Sequence, residues 1–175
     1  EKELVAHLKG VDQNFTKVTD FDRHLYAGTW IAPHSEEVIV GAEISRKLAL
    51  GLFDFSNALE VFAPKPGKGT VENPNEAFNK ALLFTSGIYS VNEELDGKYV
   101  FCDIKLAQNL LGLYPNQSTH IELKTTPNCN EAAIRKDLQA ILGNNIKIKN
   151  RAQLNYSLYK MLQSENLFIY LFSTL

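Results

Sequence analysis

One string in this chain invites a catalytic reading: PGKGT at Pro66–Thr70, with a Gly-Lys pair of the kind that cradles nucleotide phosphates. A phosphate-binding loop needs a glycine five positions before that pair, so that the backbone can wrap the phosphates, and a Ser or Thr directly after the lysine to hold magnesium. Phe62 and Gly69 occupy those places, so the string reads as an ordinary loop. The four histidines, His7, His24, His34 and His120, share no ligand spacing with one another or with Cys102 and Cys129. The two thiols lie too far apart for a CxxC motif and are too few for a disulfide framework. Acidic pairs at Asp20 and Asp22, Glu36 and Glu37, and Glu93 and Glu94 each sit in a polar connection, where a solvated carboxylate is the default. Neither GxSxG nor HExxH occurs. The residues predict no enzyme site, no metal centre and no cofactor.

The elements that would position any other kind of site follow from periodicity. Leu4, Ala6 and Leu8 alternate in ELVAHLKG and predict a strand ending at Gly10, followed by a polar, partly aromatic connection through Phe15, Phe21, Leu25, Tyr26 and Gly28. EEVIVGAEISRKLAL predicts a strand over Val38–Val40, a tight turn, and a helix with Ile44, Leu48 and Leu52 at four-residue steps. ALEVFAP predicts another strand, stopped by Pro64 and Pro66. The segment from Pro64 to Asn79, with three prolines and two glycines, predicts an exposed loop. Strand-like KALLFTSGIYSV on its far side makes the pair an elongated hairpin projecting from the body. After the turn NEELDGK, YVFCDI predicts a strand, and Asp103 caps a helix striped by Leu106, Ala107, Leu110 and Leu111 and closed by Gly112.

In the last third THIELKT alternates, Asn128 and Glu131 have capping-box spacing before a helix bearing Ile134, Leu138, Ile141 and Leu142, and NIKIKN alternates again. This pattern predicts a β-α-β unit. A final helix from about Ala152 meets no Gly or Pro before Leu175 and is expected to form a rod of ~35 Å. Its end, SENLFIYLFSTL, carries no charge from Leu167 onward. About ten apolar residues are too few to cross a bilayer. Either an amphipathic helix docks on the core, or a membrane span is cut off in its first turns. A chain that opens on Glu1 in mid-domain-like strand favours the second, a piece of a larger protein.

Composition is that of ordinary globular material, 45% hydrophobic and 22% charged. A net charge of −2 with scattered Lys and Arg excludes a nucleic-acid groove, which needs clustered cations to displace counterions.

In order along the chain, VIVGAEISRKLALGLFDFSNALEVFAPKPG, LLFTSGIYSVNEELDGKYVFCDIKLAQNLLG and STHIELKTT resemble the extracytoplasmic domain of FtsX-like ABC transporter permeases, the group that includes lipoprotein-releasing permeases and MacB-type exporters. The matching features are a strand ending in glycine at Ile39–Gly41, Leu50–Leu52, a strand entering a proline-bearing loop at Val61–Pro66, a strand with an internal glycine at Phe84–Tyr89, then Asp96, Asp103–Leu111 and Ile121–Lys124. LKGVD at Leu8–Asp12 and LYAGTW at Leu25–Trp30 also fit. The chain departs from the family at Asp54–Asn57, where DFSN stands in place of a Gly-Asp turn.

The resemblance implies an α+β, MacB-like periplasmic core of two subdomains. One, porter-like, would be discontinuous (1–30 and 118–163); the other, β-rich, would be inserted between them (31–117) and carry the hairpin loop 64–78. Residues 164–175 would begin a truncated transmembrane helix, and the uninterrupted helix from Ala152 through Leu175 is expected to act as a lever, since no Gly or Pro hinge would absorb its tilt. The resemblance further implies a bacterial inner-membrane protein with this domain in the periplasm, an ATP-binding subunit that hydrolyses ATP elsewhere, a second permease copy or homologue, and a periplasmic carrier or adaptor. The loop residues Pro64, Lys65, Pro66, Lys68, Val71 and Phe78 are the expected partner contact. The alternatives are a cell-division-type domain that binds a wall hydrolase, an exporter domain docking an adaptor, and a soluble enzyme with an apolar C-terminal helix.

Overall fold

The computed structural model describes residues 2–65 and 77–154. The chain is α+β, as its sequence predicts, and divides into two compact units, Glu1–Lys124 and Thr125–Leu175. In the first unit the order is β1 (His7–Val11), α1 (Phe15–Thr19), a 3-10 turn (Phe21–His24), β2 (Leu25–Gly28), β3 (Glu37–Gly41), α2 (Ala42–Leu48), β4 (Leu59–Pro64), β5 (Phe78–Tyr89), α3 (Glu93–Asp96), β6 (Tyr99–Asp103) and α4 (Ile104–Leu111). The described part of the second unit holds α5 (Glu131–Leu142) and α6 (Arg151–Leu154).

The strands form a mixed sheet in the order β1-β6-β3-β5-β2, with β4 paired to the first half of β5. β1 runs parallel to β6 and β3 parallel to β5, whereas β3–β6, β2–β5 and β4–β5 are antiparallel. The central strands β3 and β6 are buried on both faces, which is why EVIVG and YVFCD read as continuous apolar runs. One face, Val38, Val40, Val100 and Cys102, packs with Ile44 of α2 and Ala107 of α4. The other, Ile39, Tyr89 and Phe101, is covered by Phe15, Phe21 and Trp30. Phe21 stands 4.7 Å from the Phe101 ring and 5.1 Å from that of Tyr89.

That aromatic cover differs from the sequence reading in two ways. Phe15–Gly28 is built from two short helical turns and a strand, because its apolar residues serve one sheet face. The sheet also crosses the subdomain boundary expected at residue 30: β1 pairs with β6 and β2 with β5, so residues 1–30 and 31–117 share one sheet. Gly10 makes this possible on the β1 side, since a Cβ there would collide with Ala107 Cβ of α4.

The predicted β-α-β unit is also corrected. Residues 119–126 and 146–150 join no ladder, and Ile121, Leu123 and Ile146 are exposed. Alternation shows that a segment could bury one face; a strand needs a paired neighbour as well, and the described residues supply none. Between them α5 forms where predicted, ending at Gly143 with φ +75°. Its cap is Asn130, whose side chain accepts the Ala132 and Ala133 N–H groups at 3.1 and 3.2 Å. Asn128, the expected cap, instead takes a left-handed turn conformation at φ +64°. No residue of α5 is buried.

Cys102 is buried and Cys129 half-buried. Burial above all, with the neighbouring Asp103 carboxylate, pushes the Cys102 thiol up to about 12. Iodoacetamide at pH 8 is therefore expected to label Cys129 alone in the folded protein and both thiols after unfolding, as read by mass spectrometry. Because the folded pKa is the raised one, this thiol costs nothing below about pH 8.5, where the unfolded chain also holds its proton. Stability then falls by about 1.4 kcal/mol per pH unit as pH rises toward the folded value.

Candidate docking surface

The β4–β5 ribbon has two unlike faces. Its register sets Leu59 against Leu83, Val61 against Ala81 and Ala63 against Asn79, and these residues turn inward. Leu59, Val61, Ala81 and Leu83 join the core, and Asn79 Nδ2 donates to the Leu110 carbonyl of α4 at 2.7 Å. Over its paired length the hairpin thus lies on the body, a correction to the expectation that it projects: strand alternation gave it an apolar inner face that had to be covered.

The opposite face pairs Glu60 with Leu82, Phe62 with Lys80 and Pro64 with Phe78. All six are exposed. The Phe62 and Phe78 rings meet edge to face at 6.4 Å, and Lys80 Nζ lies 4.7 Å from the Phe62 centroid. Holding a cation over an exposed ring keeps the patch soluble while leaving its apolar area accessible. Lys65 closes the ladder by donating its N–H to Ala77 O at 2.9 Å. Of the predicted contact residues, the structure brings Pro64, Lys65 and Phe78 together here; Pro66, Lys68 and Val71 lie outside the described residues. Phe62, Lys80 and Leu82 were missed, although their alternation with Val61, Ala81 and Leu83 already put them on the outward side.

Farther along β5, Phe84 follows Phe78, Lys80 and Leu82 at the same period-two spacing and meets a second aromatic group. The Phe55 ring lies tilted beside Phe84, centroids 5.0 Å apart, and Phe53 donates its N–H to Thr85 O at 2.8 Å. With Ser35, Glu36, Glu37 and Ser86 these three rings line a cleft of about 270 Å³. The loop is held by Asp54, whose Oδ1 accepts the Ser56 hydroxyl at 2.6 Å and the Ser56 N–H at 3.0 Å. Those bonds hold the Asp54 carboxyl below its ordinary range. Phe53 carries φ +52°, a left-handed conformation that bulky side chains rarely take. This loop holds the DFSN string of Asp54–Asn57, which the sequence marked only as a departure from the pattern it resembles and not as part of a site.

Asp103 caps α4 through the Lys105 N–H at 2.8 Å and also accepts the His34 N–H at 3.1 Å, while Lys105 Nζ lies 3.3 Å from His34 Nε2. Among the described residues no three His, Cys, Asp or Glu side chains are grouped to hold a metal ion. Nor is any described helix long and apolar enough to cross a membrane; the span expected at 164–175 lies outside the described residues. No family model matches the chain, and no curated protein matches it.

Proposed function

We propose that this chain is the extracytoplasmic domain of an FtsX-like ABC transporter permease, and that its β4–β5 ribbon docks a soluble periplasmic carrier. The domain would transmit ATP-driven movement, supplied by a cytoplasmic ATP-binding subunit, to lipoprotein release or export at the inner membrane. One observation carries the docking role. Phe62, Phe78 and Leu82 are 49%, 41% and 59% exposed on a single face of a ribbon in which β4 and Phe78–Leu83 pair only with each other among the described strands. Exposed aromatic residues clustered beside unpaired strand edges are what a partner protein covers, either on the flat face or by adding a strand. The family reading rests on the ordered motif residues, whose placement gives them work: Gly41 packs on Asp96, Asp96 ties down its own turn, and Asp103 caps α4.

A photocrosslinking residue at Lys80 in the full-length protein, in its own membrane, tests this. The expected product is a crosslink to a soluble carrier, lost together with transport when Phe62, Phe78 and Leu82 are all changed to Ser, with the melting temperature nearly unchanged. Capture of a wall hydrolase or an adaptor would move the protein to one of the alternative subfamilies. Absence of any crosslinked partner, with transport intact in the triple variant, would remove the docking role.

A further inference from the structure

We propose that the cleft between the Phe53–Phe55 loop and the start of β3 receives an arginine side chain from an extended segment of a partner protein. Its volume, about 270 Å³, is below that of sites built for drug-sized molecules and suits one long side chain. Its chemistry is complementary to a guanidinium. Phe53 and Phe55 are 48% and 72% exposed and, with Phe84, offer ring faces on which a planar cation stacks. Glu36 and Glu37 supply negative charge at the same cleft, and among the described residues neither forms an ion pair; the carboxylates paired with Lys or Arg are Asp20, Glu43 and Glu122.

Glu37 is also positioned. Glu37 Oε2 accepts the Ala32 N–H at 3.0 Å, and the Glu37 N–H donates to Ser35 Oγ at 3.3 Å. Phe53 is held at its unusual φ by the Thr85 bond and by the Asp54 turn, and a strained aromatic kept at a cleft mouth is the kind of residue that function retains. Phe84, Leu82, Lys80 and Phe78 occupy alternate positions of one strand, so an extended partner lying along β5 could place its arginine here while covering the ribbon. The cleft's chemistry does not depend on the transporter reading.

The test is a titration of the isotope-labelled 175-residue chain, followed by amide NMR, with the acetylated heptapeptide amide Ala-Ser-Ala-Arg-Ala-Ser-Ala and its citrulline counterpart, which keeps the shape and lacks the charge. The expected result is saturable shifts confined to Ala32, Ser35–Glu37, Phe53–Phe55 and Phe84, with binding weaker by about tenfold for citrulline. The double variant Glu36→Gln, Glu37→Gln keeps the acceptor for Ala32 and should lose about as much, as should Phe55→Ala, whose ring is mostly in solvent. Equal binding of the two peptides, shifts centred elsewhere, or no saturable shifts at millimolar peptide would each overturn the proposal. Carrier crosslinking at Lys80 would be untouched by that outcome.

Discussion

Gly41→Ala is expected to lower stability by about 3 kcal/mol or more, enough to leave much of the protein unfolded at growth temperature. Gly41 ends β3 and precedes α2 with φ −70° and ψ 151°, a conformation any residue adopts, so the requirement is for space alone. A Cβ there would sit 2.5 Å from the Asp96 Cα and carbonyl carbon and closer still to the carbonyl oxygen. Backbone cannot rotate away as a side chain can, and this backbone is fixed from several sides. Asp96 Oδ1 accepts the Val91 N–H at 2.8 Å, Oδ2 accepts the Ser90 hydroxyl at 3.1 Å, and the Asp96 N–H donates to Asn92 O at 2.9 Å. The buried Tyr89 hydroxyl lies 2.8 Å from Leu95 O and 2.9 Å from Tyr99 O, tying α3 to the end of β5 and the start of β6. Overpacking is tolerated where neighbours can shift, and α3 has nowhere to go. Gly51→Ala is the control: its Cβ would meet only the Asp54 side chain, at 3.4 Å, so a change within about 0.5 kcal/mol is expected. Urea midpoints of the two variants decide the matter. A Gly41→Ala midpoint as close to wild type as that of Gly51→Ala would show that α3 is free to move.

The same cluster shows what a sequence can disclose about a fold. Gly41, Asp96 and Asp103 stood out as motif positions, and each has a local cause that composition can signal: a missing side chain, a turn-closing carboxylate, a helix cap. The β3–α2 and β6–α4 units were legible for the same reason, with Gly112 at φ +64° ending α4 as its type suggests. What local pattern could not fix was pairing. Leu8 and Val11 joined the strands of residues 31–117 because the outer edge of β6 was open to a parallel neighbour, a fact about the whole sheet. Ile121 and Leu123 alternate as convincingly as Val61 and Ala63 do, yet only the latter have a partner strand beside them and a core beneath. The cleft was invisible for a related reason. Phe53 and Phe55 meet Phe84 across some thirty residues of chain, through a hydrogen bond to Thr85 that no spacing rule encodes. Glu36 and Glu37, read alone, were two solvated acids.

Leu82→Ala and Leu83→Ala, one residue apart, are expected to fail in opposite ways. Successive side chains of a strand point to opposite faces, and over Phe78–Leu83 β5 has a core on one side and solvent on the other. Leu83 is fully buried among the residues that join β4 and β5 to the body, opposite Leu59 and packed with Val38 and Ile44. Cutting it to alanine removes its transfer free energy and leaves a cavity, a loss of about 2–5 kcal/mol that depends on how far the sheet can close over the gap. At this chain length that amounts to roughly 10 °C in melting temperature. Leu82 is 59% exposed, and its truncation should change stability by less than about 0.5 kcal/mol. The partner experiment inverts the order: Leu82 lies on the face that carries Phe62 and Phe78, so its loss should weaken carrier crosslinking from Lys80 in protein whose fold is intact. Leu83→Ala, assayed well below its lowered melting temperature, should retain crosslinking. If Leu82→Ala proved the destabilised variant, the register of β5 would be shifted by one residue and the docking face would be the wrong one. If both variants were stable and both lost crosslinking from Lys80 equally little, Leu82 would add nothing to docking, and the carrier would have to be held by Phe62 and Phe78 on the same face.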